Sequence, residues 1–126
     1  MRHYIAYHNA KGMSYPSTDL TDPHVKTKNP VTGLIGVTVW LIAGEGKSPK
    51  SFFIASMFIA DKCEKNKFPG TNLPNQISGV GTLYKLTKPI TGTILLDQIR
   101  MESLNFRKGF HKVEDAKIIA GLLALP

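Results

Sequence analysis

Residues 52–60 (FFIASMFIA) leave this chain few options, because they are apolar at odd and even positions alike. The run is too short for its period to separate helix from strand, so its composition and neighbours decide. Three phenylalanines and two isoleucines favour a strand, and the Gly-, Ser- and Pro-containing stretch 43–51 before it has turn chemistry. Upstream, residues 34–42 alternate: Val37, Val39 and Leu41 share one face, and Thr38, Trp40 and Ile42 share the other. Together the two segments predict a hairpin whose second strand is buried.

Other elements gather around that hairpin. Residues 4–8 read as a first strand with Tyr4, Ala6 and His8 on one face. The stretch 9–33 is too long for an ordinary connection and predicts a short helix or a functional loop wrapped over the core. Residues 61–76 are polar, and Pro69-Gly70 and Leu73-Pro74 mark irregular structure. Residues 77–86 alternate through Val80, Thr82, Tyr84 and Leu86, a strand that Pro89 ends. Ile94, Leu95, Ile99 and Leu104 permit a short helix. A second helix is predicted over 113–123, with Val113, Ala116, Ile119, Ala120 and Leu123 at helical spacing and Glu114 and Asp115 in its first turn. The expectation is a single α+β domain over residues 1–126, a small mixed β-barrel of five or six strands with short helices and a C-terminal helix.

Composition narrows the function classes. With 42% hydrophobic and 20% charged residues the chain is not a disordered one. A single cysteine, Cys63, excludes an internal disulfide scaffold and a zinc ribbon, and it favours a reducing compartment. No apolar run is long enough to span a bilayer, and Met1 to Ile5 lead straight into patterned sequence without a secretory signal, so a cytoplasmic location and no membrane partner are expected. The net charge is +7, from 16 Lys and Arg against 9 Asp and Glu. It is spread along the chain, with small clusters at Lys26/Lys28, Lys47/Lys50, Lys62/Lys65/Lys67 and Arg107/Lys108/Lys112. A surface gathering several of these attracts phosphates; a solvated lysine-rich surface with no such partner is the plain alternative.

Catalytic and metal motifs fit poorly. Gly44-Glu45-Gly46-Lys47-Ser48 ends like a phosphate-binding loop, but Leu41 stands where the first glycine belongs and a strand follows instead of a helix. Gly79-Val80-Gly81 opens a dinucleotide fingerprint, yet Tyr84 occupies its third glycine position, and close strand packing explains the glycines better. His3, His8, His24 and His111 lack the spacing that sets two imidazoles on one helix face, so no metal site and no cofactor are expected. Cys63, between Lys62 and Lys65, reads as an inert, partly buried thiol. Glu45-Gly46-Lys47 matches half of a metal-dependent nuclease site, with Asp19 or Asp22 as the further acid. Its place in a glycine turn favours a solvated loop instead.

The order of segments resembles the EVE-like branch of the PUA-like superfamily. The residues that carry the likeness are the strand YIAYHN, the strand VTVWLI followed by Gly44, the FFIASMFIA strand, and a closing aromatic–Gly segment before a terminal helix. The family usually places Gly-Asp before the central strand, whereas here Gly36 is followed by Val37. The resemblance implies a pseudo-barrel with a concave pocket, in a superfamily that often reads RNA or modified DNA bases. Carried onto this chain, it implies that His8 and Asn9 lie at the pocket rim and that Trp40 is the aromatic of the central strand. Phe106, Gly109 and Phe110 would face the same cleft, and Thr27, Lys28 and Asn29 would close over it.

A base held in such a pocket needs an apolar wall for stacking and a few polar groups for its edge. The expected function is therefore a nucleic-acid or modified-base binding module without catalysis. Trp40 and Phe110 would stack, His8 and Asn9 would meet the base edge, and Lys28, Arg107 and Lys108 would meet phosphates. Any effector would be a separate protein. The alternatives are the metal-dependent nuclease and a protein-interaction module without nucleic-acid contact.

Overall fold

The computed structural model describes residues 2–9, 23–28, 30–46, 50–65, 75–84 and 87–125. Within them lie β1 (His3–Asn9), β2 (His24–Thr27), β3 (Thr38–Glu45), β4 (Ser51–Lys65), β5 (Asn75–Leu83), α1 (Ile94–Glu102), β6 (Phe110–Lys112) and α2 (Ala116–Leu123). The strands form one six-stranded sheet in the order β2-β5-β4-β3-β1-β6. β1 runs parallel to β3, and the remaining neighbours are antiparallel. The sheet curls into a half-barrel, so the small mixed α+β architecture expected from the sequence is the one observed.

Alternation along β1 and β3 gives the sheet two apolar faces. Ile5, Trp40, Ile42 and Ile54 pack beneath Leu96 and Ile99 of α1 and Ile118 and Leu122 of α2. On the other face Ala6, Val39, Leu41, Phe58 and Ile77 pack together with Val25 of β2 and Phe110 of β6, residues from the two edge strands. A sheet that joins its own edges in one cluster must be strongly curled. Gly81 supplies part of the curl: a Cβ there would run into the Met57 carbonyl and the Phe58 backbone of β4. The register of β4 also shifts by a bulge between Ala60 and Lys62.

Several boundaries differ from the sequence reading. β3 begins at Thr38 and not at residue 34, because hydrogen-bonded turns occupy the stretch before it, with Leu34 N–H to Val31 O at 3.3 Å and Val37 N–H to Leu34 O at 3.2 Å. Leu34 and Val37 are buried all the same. β4 continues to Lys65 through residues expected to be irregular, since pairing with β5 satisfies the backbone while Asp61 and Lys62 stay in water. The long 9–33 connection contributes a strand, β2, where a short helix was one expectation. α2 starts at Ala116, because Asp115 is its N-cap and accepts the Lys117 N–H at 2.8 Å. No described helix is long and apolar enough to cross a membrane.

Candidate nucleic-acid interface

The chain leaves α1 through an unusual turn. Leu104, Asn105 and Phe106 have φ of 55°, 57° and 67°, consecutive left-handed positions without a glycine among them. Such a conformation costs roughly 1–2 kcal/mol per ordinary residue and persists only where neighbours hold it. Here the Asn105 N–H donates to Arg100 O at 2.6 Å, and the Lys108 N–H donates to Ser103 O at 3.2 Å. The Phe106 N–H donates to Oγ of the buried Ser103 at 2.9 Å. Arg100 Nε donates to Asn105 Oδ1, also at 2.9 Å.

This turn lies against the end of β1, where the Tyr7 N–H donates to Gly109 O at 2.8 Å. It delivers the Phe106 ring 4.3 Å from Tyr7 and 5.5 Å from Phe52, near-parallel to both. The Arg100 guanidinium stands 5.2 Å from the Phe52 ring centre. Burial raises the Tyr7 pKa, while the Arg100 charge opposes that rise and Glu45 adds to it. The phenol is thus a protonated hydrogen-bond donor at neutral pH. Arg107 and Lys108 are exposed on the same turn.

Of the residues named from the sequence, His8, Asn9, Phe106, Arg107, Lys108, Gly109 and Phe110 gather at this end of β1. They do not surround one cleft. Phe106 packs on the helix-covered face, whereas Phe110 stacks on Tyr4 at 5.2 Å on the opposite face. His8 is 2% exposed and pairs with Ala43, so its ring is inside and not at a rim.

Trp40 is a core residue. It is 5% exposed beneath the helices, and its Nε1 donates to His3 Nδ1 at 3.1 Å. Burial and the N-terminal charge lower the His3 pKa, which keeps that acceptor nitrogen unprotonated. Trp40 and Phe110 therefore lie in separate clusters on opposite faces and cannot sandwich one base.

Thr27 and Lys28 are also displaced. Thr27 registers through Asn75 to Lys65, whereas His8 registers through Ala43 to Phe53, a separation of roughly 40 Å along the contour of β4 at about 3.3 Å per residue. The two groups sit at opposite ends of the sheet. Asn29 lies outside the described residues.

The remaining chemistry is sparse. Glu45 closes β3, while Lys47, Asp19 and Asp22 lie outside the described residues. Among the described residues no His, Cys, Asp and Glu cluster could hold a metal. His111 Nε2 meets Glu102 Oε1 at 2.8 Å, and Glu102 Oε2 accepts the Glu114 and Asp115 N–H groups, so this pair joins α1, β6 and the start of α2. Burial lowers the His111 pKa in spite of Glu102. Near Lys28, a 330 Å³ recess is lined by Val31, Thr32, Gly33, Cys63, Glu64 and Asn75. Burial pushes the Cys63 thiol up, which leaves it a poor nucleophile.

Sequence reasoning missed Tyr7, Phe52, Arg100 and Asn105. Tyr7 and Phe52 lay in strands already assigned, and only the pairing of β1 with β3 and of β3 with β4 brings them together. No family model and no curated protein matches the chain.

Proposed function

We propose that this protein is a cytoplasmic binding module for single-stranded nucleic acid or an extruded modified base, without catalysis of its own. The interface is the end of β1 together with residues 103–109. The observation that carries this reading is the left-handed turn, which fixes Phe106 in a three-ring aromatic cluster with Tyr7 and Phe52 and presents Arg107 and Lys108 beside it. Stacking rings next to exposed cations are what a splayed base and its phosphates require. The net charge of +7 and the resemblance to the EVE-like branch of the PUA-like superfamily support the same reading. An effector, where one acts, is a separate partner.

Titration of labelled single-stranded RNA, single-stranded DNA and duplexes, with and without base methylation and at two salt concentrations, tests it. Phe106→Ala is expected to lose about 1–3 kcal/mol per stacked base. Binding no tighter than that of an equally basic control protein would overturn the proposal. A second reading, a protein-interaction module, rests on the exposed apolar side chains Ile94, Met101, Leu104 and Leu123. Salt-insensitive binding to a protein partner would favour it, since phosphate contacts weaken steeply with salt.

A further inference from the structure

Arg100 is placed differently from the other cations near the turn. Its guanidinium lies over Phe52, and its Nε is engaged by Asn105, whose own position is set by the bond from its N–H to Arg100 O. One edge of the fork is thus fixed within its own turn. Among the described residues no carboxylate pairs with Arg100, and its terminal nitrogens have no acceptor. An arginine held against a ring, with no partner for its terminal nitrogens among the described residues, is preorganised for a charge-assisted grip on an oxyanion. Beside it stands the Tyr7 phenol, packed so closely over Gly44 that a Cβ there would strike the hydroxyl. Glu45 is the nearby acid, and its charge raises the Tyr7 pKa where that of Arg100 lowers it.

We propose that Arg100 and the Tyr7 hydroxyl form a phosphate subsite, with Arg100 gripping the non-bridging oxygens and Tyr7 donating one further hydrogen bond. The subsite deepens the nucleic-acid reading and takes its ligand, a phosphodiester or phosphomonoester next to a stacked base, from it. Arg107 and Lys108 are exposed charges that follow a backbone; Arg100 fixes where one phosphate sits.

The experiment compares the wild type with Arg100→Lys, Arg100→Ala and Tyr7→Phe. The probes are a single-stranded oligonucleotide, adenosine 5′-monophosphate and adenosine, and thermal unfolding is recorded for each variant. Arg100→Ala is expected to weaken the oligonucleotide and the monophosphate by about ten- to a hundredfold, and Tyr7→Phe by about two- to tenfold. Arg100→Lys keeps the charge but not the fork, and should recover only part of the loss. Adenosine affinity should change far less than monophosphate affinity across the variants, a selective loss that general damage to the fold, which weakens both ligands together, would not produce.

Oligonucleotide binding unchanged in Arg100→Ala and Tyr7→Phe would overturn the subsite while leaving the nucleic-acid reading intact. Phosphate-dependent binding of the monophosphate, lost in Arg100→Ala and without oligonucleotide binding, would support the subsite and count against the nucleic-acid reading. Equal affinity for adenosine and its monophosphate in the wild type would also overturn the subsite.

Discussion

Trp40 donates its indole N–H to His3 inside the helix-covered core, so Trp40→Phe leaves a buried acceptor without a donor. The expected cost is about 1–3 kcal/mol in denaturant unfolding, with oligonucleotide affinity unchanged. His3 and His111 both have pKa values lowered by burial from the ordinary 6.5. Around that pH the unfolded chain binds more protons than the folded one. Their contribution to stability is therefore complete above 6.5 and is lost as the pH falls through the lower folded values. Denaturant midpoints measured from pH 8 to about pH 5 should fall on the acid side, and the fall should be smaller in His111→Gln. Leu104 is exposed at φ 55°, so Leu104→Gly should stabilise the fold by roughly 0.5–1 kcal/mol in thermal unfolding. A loss of stability there would mean that the turn is not strained.

Elements were legible in the sequence wherever period and punctuation agreed. The face assignments of Val37, Val39 and Leu41 against Trp40 and Ile42 match the two core clusters, since a strand with two apolar faces admits one alternation. Pairing partners were not legible. The parallel contact of β1 with β3 is long-range, and it alone brings Tyr7 near Gly44. The turn after α1 was hidden for a different reason: Leu104, Asn105 and Phe106 carry no glycine to announce left-handed backbone, and side-chain bonds from Ser103 and Arg100 supply what glycine would have. Gly81 was readable as a close approach, and the collision a Cβ would make gives that reading a consequence. Gly81→Ala should lose more than about 2 kcal/mol in denaturant unfolding, because the obstructing atoms are backbone and cannot rotate away. A neutral outcome would mean that β5 crosses β4 less closely than described.

Across the whole molecule, charge and curl act together. The excess of cations is distributed along the chain, yet the sheet register sorts it into separate ends, with Lys28 at one and Arg107 and Lys108 at the other. Composition carried no trace of that separation, and it was the resemblance to the EVE-like branch that set all these residues around one expected pocket. If binding is local to the end of β1, the Arg107→Ala and Lys108→Ala variants should each flatten the salt slope by about one unit, and Lys28→Ala should leave it unchanged. The most direct measurement is an amide NMR titration of the wild type with single-stranded RNA at moderate salt. The expected perturbations concentrate at residues 7–9 and 100–110 and leave residues 24–28 still. Shifts centred on residues 24–28, or spread evenly over the exposed lysines, would contradict the assignment of the interface.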